Sequence, residues 1–284
     1  MAKAVAIDKD LLRSLLVIGD LIEARDPYTG GHVWRVSQIA KLLALKYGLA
    51  KDAAVQVSLG GYLHDLGKIG IPDSILRKKD KLDEAEFDTI KTHPSIGQRL
   101  ISEHPLGALV LDMILHHHER LDGQGYPDGL SGGAITLNAG LISLADAFDA
   151  LTSTRPYHKA RTIPEALSIL KDAGGSQFDP QLLTALEALS LGPDLAHVVG
   201  HSDEGIPLIE CPACSSVLTV LRLTRDGDVV FCRTCTGKMI MHKNAESFDA
   251  EFTGTTGAPR DLQPAANLEV IKDFVAGVPK KLSI

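Results

Sequence analysis

Apolar residues recur at helical spacing over the first two thirds of the chain. Leu12, Leu15 and Leu16 lie three or four positions apart and predict one face of an amphipathic helix. Comparable stripes predict further helices over residues 33–43, 53–64, 108–117, 141–151, 164–170 and 180–189. Asp83 followed by Glu86 is typical of a helix start with a capping box. Because strand-like alternation is nearly absent between residues 7 and 190, we predict an all-α unit there.

The pattern changes after Gly192-Pro193. Short apolar runs at 217–221 and 229–231 flank Asp226-Gly227 and predict a β-hairpin. Residues 247–266 are rich in Gly, Thr, Ala and Pro and suggest a loose linker, whereas residues 268–275 suggest a short last helix. The predicted organisation is therefore a helical domain (1–192), a small β module (205–242), and a linker with a short C-terminal helix (243–284).

Composition and charge exclude several classes of protein. Hydrophobic residues make up 44% and charged residues 23% of the 284 residues, which is ordinary globular usage. A net charge of −7 lacks the basic excess of a general nucleic-acid binder. No apolar run approaches the ~20 residues that a membrane span needs, and the first residues lack the apolar core of a secretory signal. We therefore expect a cytoplasmic protein with no membrane association.

The four cysteines form two Cys-x-x-Cys pairs, Cys211/Cys214 and Cys232/Cys235, separated by 17 residues. This spacing predicts a structural zinc site of four thiolates, and with the hairpin the segment resembles a zinc ribbon. The alternatives are two disulfides, which the missing secretory signal disfavours, or a redox pair. Residues 191–284 carry nine Lys or Arg against twelve Asp or Glu, so a protein partner or self-association is favoured over nucleic acid.

A second set of candidate ligands lies in or beside the predicted helices. These residues are His32, His64, Asp65, His93, His117, His118 and Asp146. Helical bundles build metal sites from inward-facing side chains, and imidazole with carboxylate suits Fe, Mn, Ni or Zn. Five His and two Asp exceed one tetrahedral site but suit two metals that share a carboxylate, with Asp65 as candidate bridge. The alternative is that these are surface or hydrogen-bonded core residues, with 116–118 a solvated helix end. We treat the other histidines as background: His104, His116, His158, His197, His201 and His242.

Several motifs together resemble a known family. His64-Asp65-Leu66-Gly67-Lys68 resembles the signature of the HD phosphohydrolase superfamily, and Gly125-Tyr126-Pro127 resembles that of its HD-GYP subgroup. Further matches lie at residues 26–32, 68–73, 93–94, 145–151, 155–157 and 177–180. The resemblance covers about residues 20 to 190. It implies an all-α HD-type catalytic domain that hydrolyses cyclic di-GMP, followed here by a small β-hairpin zinc ribbon.

The resemblance also implies roles for individual residues. One metal would be held by His32, His64, Asp65 and Asp146, and a second by Asp65, His93, His117 and His118. Lys68 and Arg155 would contact substrate phosphates, and Tyr126 would lie beside the substrate. Some members carry a Glu for a third metal where this chain has Tyr28, so we expect two metals, with iron or manganese favoured.

The resulting hypothesis is a metal-dependent cyclic di-GMP phosphodiesterase. A metal-bridging hydroxide would attack phosphorus and release a linear dinucleotide, with GMP as the product of any further hydrolysis. Asp65 and Lys68 are the predicted catalytic residues. Two alternatives stay open: a non-hydrolytic cyclic-dinucleotide sensor that acts through the zinc ribbon, and a phosphohydrolase for another cyclic or linear nucleotide.

Overall fold

The helical unit occupies the first two thirds of the chain, as the hydrophobic pattern predicts. The computed structural model describes residues 4–25, 30–78, 80–154, 159–245 and 247–283. Its helices up to residue 190 are α1 (Lys9–Glu23), α2 (His32–Tyr47), α3 (Lys51–Leu63), α4 (Asp73–Leu76), α5 (Glu84–Ile90), α6 (His93–Ile101), α7 (Leu111–His116), α8 (Leu137–Thr152), α9 (Ile163–Asp172) and α10 (Pro180–Ser190). The seven predicted helices are confirmed, and α6 is one that the hydrophobic pattern missed.

Local sequence signals explain where these helices begin and what they bury. The Asp8 side chain accepts hydrogen bonds from the first turn of α1, and Asp83 with Glu86 forms the predicted capping box at α5. Helix α2 packs against α3 on one side and α8 on another. Its apolar side chains, including Val36 and Ile39, are fully buried there. The core therefore lies directly beneath the helix ends that carry the candidate ligands.

The β region is organised differently from the predicted hairpin. The strands are β1 (Ala4–Ala6), β2 (His201–Asp203), β3 (Ile206–Pro207), β4 (Ile209–Glu210), β5 (Val217–Leu218), β6 (Val229–Phe231), β7 (Gly237–Lys243), β8 (Phe248–Thr256) and β9 (Lys281–Ser283). Strand β5 pairs with β4, and β6 pairs with β7, so the predicted pairing of 217–221 with 229–231 is wrong. Each Cys-x-x-Cys pair instead lies in the connection of its own hairpin, which separates the two apolar runs.

The segment predicted as a loose linker contains a long strand. Strand β8 pairs antiparallel with β7, with Phe248 opposite Lys243 and Phe252 opposite Met239. Phe248, Ala250 and Phe252 alternate with polar residues at the period of two that a strand requires. The Gly- and Thr-rich composition obscured this alternation, so the linker prediction is wrong for residues 248–256.

The C-terminal residues return to the helical unit. Helix α11 (Leu268–Gly277) confirms the predicted last helix, and strand β9 pairs with β1 near the N-terminus. Val270, Ile271 and Val275 are buried in the same apolar core as α1. The Phe274 ring lies 5.1 Å from the Tyr62 ring of α3, measured between centroids. Among the helices described, none combines the length and the apolar character that crossing a bilayer demands.

Candidate metal centre

The seven candidate ligands converge on one centre because the ends of several helices meet there. The positions are His32 at the first residue of α2, His64-Asp65 directly after α3, His93 at the first residue of α6, His117-His118 directly after α7, and Asp146 within α8. Most of these side chains are buried, and His117 has no exposed surface. The reading of residues 116–118 as a solvated helix end is therefore wrong for His117.

The placement of His93 depends on a close approach between two backbones. A short 3₁₀ helix, Leu66–Gly70, follows Asp65 and packs against α6. A Cβ atom at Gly67 would lie 1.8 Å from the carbonyl oxygen of His93, so only glycine fits there. This contact brings His93 Nε2 within 3.4 Å of Asp65 Oδ1.

The ligands form two groups on either side of Asp65. His32, His64 and Asp146 form one group, and His93, His117 and His118 form the other; candidate ligand atoms within each group lie within 4.8 Å of one another. Asp65 Oδ2 is 3.6 Å from His32 Nε2 and 3.3 Å from His64 Nε2. Asp65 Oδ1 faces His93 instead. One carboxylate thus presents one oxygen to each group.

Hydrogen bonds at Nδ1 fix the tautomer of three of the candidate ligand histidines. His64 donates to the carbonyl of Gly61 (2.7 Å), His93 to that of Ile90 (2.8 Å) and His117 to that of Ile114 (2.9 Å). A carbonyl oxygen can only accept, so in the neutral ring the proton sits on Nδ1 and the Nε2 lone pair faces the centre. Each acceptor lies three residues before its histidine, so helix-end geometry sets the orientation of the ring.

The electrostatics of the centre suit a bound cation. Burial lowers the pKa of His93 to about 3 and that of His118 to about 4, which keeps both rings neutral near pH 7. Burial raises the pKa of Asp65, but Lys68 and His64 outweigh it and hold that pKa well below its usual range. Among the described residues, the buried His64 Nε2 has no hydrogen-bond partner, although Asp65 Oδ2 lies 3.3 Å away. The neutral His93 and His118 rings, the ionised Asp65 carboxylate and this unsatisfied nitrogen fit divalent metals.

Of the three predicted substrate-contacting residues, the structure describes Lys68 and Tyr126 but not Arg155. Lys68 is partly exposed, and its Nζ lies 2.7 Å from Asp65 Oδ2. The Tyr126 ring lies 4.8 Å from the His118 ring, measured between centroids. Arg155, like Tyr28 and His158, lies outside the described residues, so the expectations attached to these positions stay predictions.

Arg35 and Asp149 belong to the site and were missed from the sequence. Asp149 Oδ2 lies 2.7 Å from His32 Nδ1, and its Oδ1 accepts a 2.5 Å hydrogen bond from Arg35 Nε. Burial lowers the pKa of His32, but hydrogen bonds to Asp149 and Asp65 outweigh it and raise that pKa to about 9. Arg35 lies three residues after His32, and Asp149 lies three after Asp146. This spacing puts each on the helix face of a candidate ligand and is the signal that could have found them.

Glu119 organises the loop that carries Tyr126. Its Oε1 accepts hydrogen bonds from the backbone N–H groups of Asp128 (2.8 Å) and Gly129 (3.1 Å), and its Oε2 accepts one from Leu130 (3.0 Å). The side chain is buried. The sequence gives only a weak signal for this role, a carboxylate directly after the His117-His118 pair.

The four cysteine sulfurs form a second cluster, remote in sequence from the first. All four Sγ atoms lie within 4.8 Å of one another, with 3.8 Å between Cys211 and Cys235 and 3.7 Å between Cys214 and Cys232. All four cysteines are free, which is compatible with a metal site and not with two disulfides. The edges of a tetrahedron of sulfurs about 2.3 Å from zinc measure about 3.8 Å.

The two cysteine turns also share their backbone geometry. The residue after each pair adopts a left-handed conformation, with φ of 57° at Ser215 and 62° at Thr236. In each turn the backbone N–H of that residue donates to the carbonyl oxygen of the first cysteine, from Ser215 to Cys211 at 2.8 Å and from Thr236 to Cys232 at 2.9 Å. This matched geometry directs both pairs toward a common point.

Comparisons with known proteins agree on the helical unit. The family model described as HD domain matches residues 17–182. The cyclic di-GMP phosphodiesterase response regulator RpfG of Xanthomonas campestris pv. campestris is 45% identical over 170 residues, which cover 58% of this chain and 44% of that protein. The 3′3′-cGAMP-specific phosphodiesterase 3 of Vibrio cholerae is 36% identical over 187 residues, 66% of this chain and 41% of that protein.

Among solved structures, the HDG"Y"P protein Bd1817 of Bdellovibrio bacteriovorus is 25% identical, with 59% of this chain and 54% of that chain covered and a TM-score of 0.49. The chain spans less than half of the length of the two curated relatives named above. The family model, in contrast, covers more than half of this chain and includes every residue of the histidine–aspartate centre. With its His64-Asp65 pair in that centre and its Gly125-Tyr126-Pro127 loop beside it, this protein belongs to the HD domain family.

Proposed function

We propose that the chain hydrolyses the phosphodiester bonds of cyclic di-GMP with two divalent metals. The observation that carries this proposal is the position of Asp65, whose two oxygens face two separate groups of ligands. A bridging carboxylate between two nitrogen-rich groups is the donor arrangement of a two-metal hydrolase. Similarity to RpfG, a named cyclic di-GMP phosphodiesterase, supports the substrate.

The proposed division of ligands follows the two groups. His32, His64 and Asp146 would hold one metal, and His93, His117 and His118 the other, with Asp65 shared. When bound, such a pair lowers the pKa of water and neutralises phosphoryl oxygens. Iron or manganese is favoured, because mixed imidazole and carboxylate ligands suit both.

The other residues bind and orient the anionic substrate. The Lys68 ammonium lies beside the bridging carboxylate, so it supplies a cation where charge develops on the phosphoryl group. Tyr126 stacks near His118 and borders the same space, which suits contact with a nucleotide. Arg155 is proposed as a further phosphate contact on the family motif alone. Because the net charge is −7, substrate binding depends on these local cations and the metals.

We propose a structural zinc for the cysteine cluster. The support is the set of sulfur separations, which fit a closed tetrahedral site without a position for substrate. The core of this region is small, with Cys211, Leu218, Val220, Cys232, Met239 and Met241 as its buried residues. So small a core requires a metal for stability. The partner predicted for it, a protein or a second copy of the chain, stays a prediction, and sedimentation over a range of concentrations checks self-association.

A related substrate has a specific observation in its favour. Three relatives from Vibrio cholerae are named 3′3′-cGAMP-specific phosphodiesterases, at 34–36% identity. A hybrid cyclic dinucleotide presents the same phosphodiester to the centre, so the choice rests on base contacts. The sensor alternative is disfavoured, because a protein that only binds nucleotide has no need of the complete ligand set.

The test is hydrolysis of cyclic di-GMP and 3′3′-cGAMP by the chain loaded with Mn(II) or Fe(II). Chromatography should show a linear dinucleotide, formed faster from cyclic di-GMP. Faster cleavage of 3′3′-cGAMP would change the proposed substrate to 3′3′-cGAMP but would leave the proposed reaction, phosphodiester hydrolysis, unchanged. Tight nucleotide binding without any product would refute the enzyme and favour the sensor.

A further inference from the structure

Arg35 lies at the contact between the C-terminal region and the metal centre. Its side chain is buried, with 1% relative exposure of the residue. On one side the guanidinium binds Asp149, with Nε to Oδ1 at 2.5 Å and Nη2 to Oδ2 at 3.2 Å. On the other side Nη1 donates to the carbonyl oxygens of Gly30 (2.6 Å) and His201 (2.9 Å). One planar group therefore joins α8, the turn before α2, and strand β2.

Strand β2 also packs directly against the turn that leads into His32. Gly31 precedes His32 and has a φ of 75°, and a Cβ there would lie 2.5 Å from the Cα of Ser202. The Glu23 side chain accepts a 2.5 Å hydrogen bond from the backbone N–H of His32. The first residue of α2 is thus held by α1 and by the backbone of β2 together.

The far end of β2 is anchored by Arg222, a residue outside the helical unit. Arg222 donates to both oxygens of Asp203, at 2.9 Å and 2.6 Å. The same guanidinium donates to Asp273 of α11 at 2.6 Å. Because Asp203 is almost fully buried, this ion pair holds the strand in place and is more than a solvent-exposed contact. Arg222 follows β5, so its anchoring role ties β2 to the cysteine-containing β region.

We infer that Arg35 is a positioning residue through which strand β2 sets the metal affinity of the His32 site. The inference rests on the proposed function, because it takes His32 as a metal ligand. The His201 carbonyl fixes the plane of the guanidinium, the guanidinium fixes the Asp149 carboxylate, and that carboxylate holds His32 through Nδ1. Partners of this kind orient a ligand histidine and raise its basicity.

The first test is Mn(II) binding to Arg35→Lys by calorimetry, with the cysteine site zinc-replete and the helical centre stripped by chelator. A lysine ammonium can reach one of the two partners of Arg35 but lacks the planar fork that joins them. We expect one of the two Mn(II) sites to weaken by about 10–100-fold. The other site should stay close to wild type.

The second test loosens β2 from its far end. Asp203→Asn with Arg222→Met removes the anchoring pair without leaving a buried charge, and should weaken the same Mn(II) site by about threefold or more. The matched control is Glu187→Gln with Lys171→Met, which removes a 2.6 Å pair between α9 and α10 and should change neither site. In the Arg35→Lys background the Asp203/Arg222 change should have no further effect, because the connection is already broken.

Two results would overturn the inference alone. Arg35→Lys could lower the melting temperature and leave both Mn(II) affinities at wild type, which would make Arg35 merely structural. The two sets of changes could also weaken the site additively, which would mean that β2 acts without Arg35. If the wild-type chain binds neither Mn(II) nor Fe(II), the proposed function fails, and this inference fails with it.

Discussion

At the scale of single residues, the sequence pointed to the candidate ligands better than to the residues that hold them in place. Histidine and aspartate in seven positions in or beside helices are unusual enough to suggest a metal centre, and the structure brings all seven together. Arg35 and Asp149 were not predicted as site residues, because an Arg or an Asp on a helix usually faces water. Only the packing of α2 against α8 turns them inward to meet each other.

The bridging role proposed for Asp65 makes a prediction about metal content. Asp65→Ala removes an oxygen from each group, so it should lose both metals of the helical centre. His93→Ala removes a ligand from one group, so it should retain one metal. Elemental analysis of each variant, normalised to the zinc of the cysteine site, measures the difference. His242→Ala is the matched control, since that exposed side chain pairs only with Glu251 among the described contacts and should change nothing.

An outcome in which Asp65→Ala and His93→Ala lose the same amount of metal would contradict the bridge. It would indicate a single centre that collapses when any ligand is removed.

At the scale of elements, helices were predicted more accurately than strands. Helix α1 could be recognised because Leu12, Leu15 and Leu16 carry a local periodic signal. Strands β5 and β6 have only two and three residues, and their partners are fixed by the cysteine turns rather than by their own pattern. Strand β8 was missed because its alternation lies within a Gly- and Thr-rich stretch.

The cysteine turns give a prediction at this scale. The chain should carry one zinc, and its removal by chelator should unfold the small core around Met239 and Met241 while leaving the helices folded. Limited proteolysis would then cut within residues 205–256, and circular dichroism would retain most of its helical signal. Under denaturing, non-reducing conditions the intact mass should correspond to four thiols. A mass four units lower would indicate two disulfides instead.

At the scale of the whole molecule, the segments near the two ends of the chain pack together against the helical core. Strands β1 and β9 pair, and α11 buries its apolar face against α1. The sequence predicted α11 but not its location, because periodicity identifies an apolar face without naming what covers it. The C-terminal residues therefore act as part of the helical domain that carries the candidate metal centre.

This packing predicts how C-terminal substitutions affect stability. Ile271→Ala should lower the free energy of unfolding of the helical core by about 2–5 kcal/mol, because the side chain is buried there. Leu268→Ala, in the same helix but 63% exposed, should change it by less than about 0.5 kcal/mol. Urea denaturation followed by helical circular dichroism compares the two. Equal, small effects would show that α11 does not stabilise the core.

The central claim is that two metals joined by Asp65 hydrolyse a cyclic dinucleotide. The most direct measurement is the rate of cyclic di-GMP hydrolysis as Mn(II) is added to the chain whose helical centre has been stripped of metal and whose cysteine site is zinc-replete, beside Asp65→Ala. We expect turnover to appear only as the second equivalent of Mn(II) binds, and Asp65→Ala to stay below about 1% of the wild-type rate. Full turnover after one equivalent, or an active Asp65→Ala variant, would contradict it.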